Sequence, residues 1–347
     1  MHTLLQRVRR APAWLRDRAL KPATILCYHR VTVLERDPHL LTISPAQFEE
    51  HLQAIRESGT PTALRDLSHA LRTGRPIRDA IVVTFDDGYA DNLYEAAPLL
   101  ERYAVPATVF VATGQIDATA EYWWDALERL LLGAHPLPDT LPLAAEEMPL
   151  DVPPLAQLAA AEVTRSDDVQ HWRQQREHLM HTVRNALLEM PPTAIPDIVS
   201  GLHDATRVSR EPRASHRCCS ADELRELARS GLVEIGAHTI SHPRLAQLDL
   251  DAQTRELATS RETLEAVLGR PVTAVAYPFG RSSDINADTM IAARRAGFDV
   301  GCTLGAESIP TASMFRNDVD PLRLPRHAIH PIDGAGLAAR LREFMRT

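Results

Sequence analysis

A distorted (β/α) barrel of about seven parallel strands, carrying a helical insertion, is the fold predicted by this 347-residue sequence. Short apolar runs rich in β-branched residues recur along the chain, each short enough to be a buried strand. Between them lie stretches with clear helix start and stop signals. The alternation breaks only between Gly114 and Cys219, where longer helical and proline-rich segments replace it.

Thr24–Tyr28 is the first strand candidate. Ser44-Pro45-Ala46-Gln47 then reads as an N-cap, an N1 proline and the glutamine of a capping box. Phe48, Leu52 and Ile55 share one face of the helix that follows, and Gly59 stands at its C′ position. Ile81–Phe85 and Ala107–Val111 are the next strands. Tyr122-Trp123-Trp124-Asp125, followed by Leu127, Leu130, Leu131 and Leu132, reads as a helix, Pro136–Pro154 as a surface linker and about Asp167–Met190 as a polar helix, so residues about 115–217 form the insertion. Ser220-Ala221-Asp222-Glu223 is a second capping box, opening a helix that stops at Gly231. Val233–Ala237, Val272–Tyr277 and Asp299–Thr303 follow as strands, separated by helices over Ala252–Leu268 and Asn286–Ala296, and Leu322–Ile329 is a weaker seventh strand. The expected organisation is a basic arm over residues 1–21 and one barrel over 22–347. Such a parallel sheet places its chemistry at the carboxyl ends of the strands.

A net charge of −8 argues against nucleic acid as a partner. The four cysteines show neither metal-type CxxC spacing nor disulfide density, which suits a reducing compartment. No apolar run approaches the ~20 residues of a membrane span. Residues 1–21 lack the apolar core and cleavage site of a secretory signal, so the expected location is the cytoplasm. Arg7, Arg9, Arg10, Arg16 and Arg18 with Leu4, Leu5, Val8, Trp14 and Leu15 make the arm basic and mildly amphipathic. It associates peripherally with an anionic membrane, covers the barrel floor as a helix, or is a floppy arm.

Two motifs stand at strand ends. Thr84-Phe85-Asp86-Asp87-Gly88-Tyr89 follows Ile81-Val82-Val83, and adjacent carboxylates there resist joint ionisation unless a cation joins them. His238-Thr239-Ile240-Ser241-His242 follows Val233–Gly236, with its imidazoles four positions apart. One Asp and two His make a divalent-metal site with open positions, and the other Asp is left as a base: a hydrolase constellation. A plainer reading has the aspartates capping a helix, but one would suffice and the histidine pair would go unexplained.

These motifs resemble the polysaccharide deacetylases, carbohydrate esterase family four, and in particular their exopolysaccharide-linked subgroup. The resemblance rests on Thr84-Phe85-Asp86-Asp87-Gly88, His238-Thr239-Ile240-Ser241-His242 and Pro278-Phe279-Gly280, in the family's order and outside the insertion. It implies a metal-dependent N-deacetylase acting on an N-acetylated sugar in a polysaccharide, oligosaccharide or lipid-linked precursor. Asp87, His238 and His242 would hold Zn²⁺, with Co²⁺, Ni²⁺ or Mn²⁺ as alternatives; Asp86 would be the base and Phe279 N–H an oxyanion donor. The acid would be His29, in Tyr28-His29-Arg30-Val31, or else His327 or His330 near the C-terminus. The family's base-orienting arginine is replaced by Ala276, leaving Arg326, Arg323 and Arg281 as substitutes. Tyr277, Tyr89, Trp123 and Trp124 are aromatic candidates for sugar stacking or for core packing. Two other functions remain open: hydrolysis of a non-sugar amide, and a non-catalytic carbohydrate-binding role in an exopolysaccharide assembly.

Overall fold

The computed structural model describes residues 22–133, 135, 137–138, 141, 166–316 and 318–345. The basic arm and most of the proline-rich linker expected above lie outside the described residues. The chain divides into two compact units, Met1–Asp117 with Cys218–Thr347, and Ala118–Arg217.

The strands are β1 (Thr24–Tyr28), β2 (Arg30–Val31), β3 (Thr42–Ile43), β4 (Thr60–Pro61), β5 (Ala80–Phe85), β6 (Ala107–Val111), β7 (Val233–Ala237), β8 (Ala274–Ala276), β9 (Val300–Cys302) and β10 (His327–Ala328). The helices are α1 (Pro45–Ser58), α2 (Leu64–Thr73), α3 (Ala97–Tyr103), α4 (Trp123–Leu132), α5 (Ser166–Glu189), α6 (Ile195–Thr206), α7 (Ala221–Leu227), α8 (Leu250–Leu268), α9 (Ala287–Arg295), α10 (Thr311–Arg316) and α11 (Gly334–Phe344).

Seven strands of the first unit run parallel in the order β10-β1-β5-β6-β7-β8-β9, and β4 joins the early end of β5. The stretch before β10 also bonds to β9, through Leu324 N–H to Gly301 O (2.8 Å) and Thr303 N–H to Leu324 O (2.8 Å). One segment therefore touches both ends of the strand path, curling it into the distorted barrel. β1 and β5 are buried along their whole length, as strands covered on both faces must be.

The period-2 alternation of the strands sorts their side chains into two clusters. Ile25, Val82, Phe110, Ala274, Ala276, Val300, Cys302 and Leu324 belong to an inner one, and Leu64, Leu67 and Leu71 of α2 join it as a plug at the floor. Leu26, Ile81, Val83, Val109, Val233 and Ile235 pack outward against Phe48, Leu52 and Ile55 of α1 and against Leu257 and Leu264 of α8. Both predicted capping boxes form, at Ser44/Gln47 and Ser220/Glu223. Gly59 does end α1, but at φ −166° rather than in a left-handed turn; a Cβ there would collide with the Asp79 carbonyl. Close backbone approach is what requires this glycine.

In the second unit, Leu127, Leu130 and Leu131 of α4 pack with Leu179, Met180, Val183 and Leu187 of α5 and with Ile198 and Leu202 of α6. Arg213 gathers the buried carboxylates of Glu121 and Glu128 and the Asp125 carbonyl. Among the described residues no helix is long and apolar enough to cross a membrane.

Candidate active site

The inward parity of the strands, carried one or two residues past their ends, delivers the polar side chains of the site. Cys27 and His29 continue the face of Ile25, Thr84 and Asp86 that of Val82, and Arg326 that of Leu324. On β7 the same face carries Gly236 and then His238. Gly236 has to be glycine, because a Cβ would run into the Phe110 ring. The ladder persists to the rim, with Asp86 N–H donating to Tyr28 O (3.0 Å) and His238 N–H to Val111 O (2.9 Å).

Asp86 is gripped at both oxygens. Arg326 donates to Oδ1 at 2.6 Å and to Oδ2 at 2.7 Å, a bidentate pair in which both side chains are buried. Its guanidinium also donates to Thr84 Oγ1 (3.1 Å) and Thr303 O (3.3 Å), and lies over the Phe110 ring at 5.4 Å. The Cys27 thiol donates to Asp86 Oδ2 at 3.5 Å. Burial alone would push Asp86 up, but Arg326, followed by His238, outweighs it and holds the carboxyl well below the usual carboxylate range. Of the other candidate arginines, Arg323 and Arg281 are exposed, and Arg326 is the one brought to Asp86.

Asp87, His238 and His242 form a separate trio whose ligand atoms all lie within 4.8 Å of one another. Asp87 Oδ1 is 3.7 Å from His238 Nε2 and 3.4 Å from His242 Nε2. Bonds of about 2.1 Å to a tetrahedral ion imply ligand separations of about 3.4 Å, so the trio fits a divalent cation. His238 Nδ1–H donates to Ala276 O at 2.8 Å, which leaves the Nε2 lone pair facing Asp87. Burial pushes His238 down to about 4, against the pull of Asp86, so its ring is neutral at pH 7, the form in which an imidazole can bind a metal. Asp87 is lowered because the His242 hydrogen bond and charge outweigh its burial.

Four non-glycine residues of these loops have positive φ: Asp87 (73°), Thr239 (66°), His242 (58°) and Phe279 (59°). Such conformations cost about 1–3 kcal/mol each and persist where the surroundings over-determine them. At Asp87 the turn brings the second carboxylate of an adjacent pair to the same side of the rim as the first. Phe279 lies beside the trio, its ring 4.9 Å from that of His242.

The remaining sequence candidates fall in different places. His29 is half-buried, with a ring nitrogen within 4.8 Å of Asp86 and of Cys27. The guanidinium already neutralising Asp86 makes this second trio unfavourable for another cation. His327 turns away from the cluster, because its strand parity is opposite to that of Arg326. It stacks on Phe344 at 3.7 Å, and its Nε2 meets Ser308 Oγ at 3.0 Å. His330 is exposed near Leu40 O. Tyr277, a candidate for the mouth or for the core, is buried, and its hydroxyl donates to Leu322 O at 2.8 Å. Tyr89 is also buried, beneath the Arg30 guanidinium at 4.2 Å. Trp124 is buried in the second unit, stacked on Tyr122 at 4.2 Å and edge-on to Trp123.

Cys27 and Thr84 escaped the sequence reading, although each lies two residues before a candidate on the same strand face. So did Asp91 and Asn92, which tie down the His29 segment. Asp91 accepts from Val31 N–H (3.0 Å) and Arg30 Nε (3.0 Å), and Asn92 Nδ2 donates to His29 O (2.9 Å).

Residues 73–137 and 203–301 match the family model for polysaccharide deacetylase. YxkH of Bacillus subtilis (strain 168) is 29% identical over 101 residues, which are 28% of this chain and 35% of that protein. The poly-beta-1,6-N-acetyl-D-glucosamine N-deacetylase of Escherichia coli (strain K12) is 26% identical over 98 residues, 28% of this chain and 15% of that one. The matches thus span about a third or less of these relatives. In fold, the chain is similar to the Streptococcus pyogenes deacetylase PplD solved in complex with acetate. That likeness has a TM-score of 0.56 at 20% identity, and covers 93% of this chain and 98% of the other.

Proposed function

We propose that this chain, which belongs to the polysaccharide deacetylase family, is a metal-dependent hydrolase that removes acetyl groups from an N-acetylated sugar. One observation carries the reading: an ionised, arginine-held Asp86 stands directly beside a three-ligand trio. The family generally uses a divalent metal, and Asp87, His238 and His242 would hold it here, with Zn²⁺ the ion best suited to one carboxylate and two imidazoles. When bound, such an ion supplies Lewis acidity toward water and toward the amide carbonyl.

The chain's own groups then divide the proton work. Asp86, kept anionic by Arg326, accepts a proton from the attacking water as its oxygen joins the acetyl carbon. The Phe279 N–H, on its constrained turn, is the proposed donor to the oxygen that gains charge. Breaking the C–N bond releases an amine, a poor leaving group unless it is protonated. Of the candidate acids, His29 is the one close to Asp86 and supplies that proton, whereas His327 is committed to Ser308 and Phe344. Acetate and a free amino sugar result. The activity for which the Escherichia coli relative is named supports an N-acetylhexosamine polymer or its oligosaccharides as the substrate class.

Acetate release from N-acetylglucosamine oligomers, by protein stripped of metal and reconstituted with Zn²⁺, tests this directly. Release should require the metal and vanish in Asp86→Asn. His29→Ala should lower kcat by about 10²-fold while Zn²⁺ affinity stays the same. Turnover of simple acetamides but not of any N-acetyl sugar would replace the sugar reading with a non-sugar amidase.

A further inference from the structure

The loop joining the two proposed metal-ligand histidines is bonded to a side chain that plays no part in the chemistry above. Glu256, in the second turn of α8, accepts three hydrogen bonds from the loop. Its Oε2 takes the Ile240 N–H at 2.8 Å and the Ser241 N–H at 3.0 Å, and its Oε1 takes the Ser241 hydroxyl at 2.8 Å. From the barrel side, Thr113 N–H donates to Thr239 O (3.0 Å) and Gly114 N–H to Ile240 O (2.9 Å). Thr239 Oγ1 accepts the His242 N–H at 3.1 Å.

These bonds surround the two strained residues of the loop, Thr239 at φ 66° and His242 at φ 58°. A five-residue loop with two left-handed non-glycine positions relaxes unless something holds it. His238 has its own anchors: the ladder bond to Val111 O and the Nδ1–H bond to Ala276 O. His242 follows the strained Thr239 and is itself strained, so its position depends on how firmly Ile240 and Ser241 between them are held.

We infer that Glu256 is a positioning residue that preorganises His242 for metal binding, by fixing the loop between the two histidines. This rests on the reading of Asp87, His238 and His242 as ligands. Glu256 touches neither substrate nor ligand atoms; it acts through the Ile240 and Ser241 amides. Groups around a metal site that orient its ligands typically change affinity by about 10–100-fold when removed. A value near the lower bound is expected here, because Ser241 is exposed and water can replace part of the lost acceptor.

The experiment is Zn²⁺ affinity by competition with a chromophoric chelator, on the full chain. It is paired with the visible spectrum of the Co²⁺-loaded protein and with thermal melting of the metal-free protein. Glu256→Ala should weaken Zn²⁺ about tenfold and alter the Co²⁺ spectrum, with a smaller melting shift in metal-free than in Zn²⁺-loaded protein. Glu256→Gln, which keeps the shape and one acceptor oxygen, should fall between Ala and wild type. Ser241→Ala deletes one of the three donors at an exposed position and should give a lesser weakening, so the inference can be tested even if Glu256→Ala folds poorly. Zn²⁺ affinities within twofold of wild type across the three variants would overturn the inference and leave the ligand assignment standing. A wild-type chain that binds no Zn²⁺ would overturn both.

Discussion

Asp86 meets a guanidinium built into the barrel wall, whereas Asp87, one residue later, meets the Nε2 atoms of two imidazoles. The first carboxylate is neutralised by the fold itself and keeps both oxygens in fixed hydrogen bonds. The second is surrounded by imidazoles, which are its hydrogen-bond partners here and are the proposed ligands, with it, of a shared cation. Two like charges on adjacent residues are tolerable because each has a different counterpart, approaching from a different strand. The contrast teaches how a short acidic motif can present two carboxylates suited to the two proposed roles, proton acceptor and ligand: the surroundings of each are set by what arrives from the far end of the chain.

The most severe way to break that contrast is Arg326→Ala. It leaves a buried carboxylate without its partner, and should destabilise the metal-free protein by about 3–5 kcal/mol in urea unfolding. Adding Asp86→Asn should recover part of the loss; a cost below about 1 kcal/mol for Arg326→Ala alone would show that the pair is not what holds Asp86 charged.

Acid should reveal the same pair more gently. The folded-state value of Asp86 lies below its ordinary 3.8, so between the two the unfolded chain binds more protons. Its contribution is therefore fully present above pH 3.8 and is lost as pH falls below it. The stability difference between wild type and Asp86→Asn should be level from about pH 7 to 5 and shrink below about pH 4. A difference that already declines near neutrality would contradict the direction of the shift.

Cys27→Ala should have the smallest effect. A thiol is a weak donor, and its 3.5 Å contact duplicates an oxygen already served by Arg326. Acetate release should stay within about threefold, under 1 kcal/mol of barrier. A drop beyond tenfold would move the tuning of Asp86 from the arginine to the thiol.

Much of this molecule was legible residue by residue, because local chemistry dictates it. The β-branched runs at Ile81–Phe85 and Ala107–Val111, and the capping boxes at Ser44 and Ser220, announce elements that form where expected. Helix α2 went unnoticed: its N-cap, Ala63, makes no side-chain cap bond, and tertiary burial of Leu64, Leu67 and Leu71 stabilises it instead. The two-residue strands β2, β3 and β4 are too short for any periodicity to show. At the site, the motifs marked Asp86, Asp87, His238 and His242 as a group, since each sits beside a recognisable strand. The choice for Tyr277 between sugar stacking and core packing stayed open because an aromatic residue at a strand end looks the same in sequence whether it faces solvent or a carbonyl. Glu256 carried no local sign at all; one glutamate on an amphipathic helix resembles another until the loop above it is known.

The strand path is brought together by the same segment that carries Arg326, and this sets an order of events during synthesis. Asp86 leaves the ribosome 240 residues ahead of its counterion. Throughout that interval β1, β5 and β6 can pair, but Arg326 is not yet present to neutralise the carboxylate at their rim. Charge balance at the site is thus the last thing the chain acquires. A polypeptide stopped short of its final strand would keep most of its core residues and lack Arg326, the guanidinium that holds both oxygens of the buried Asp86.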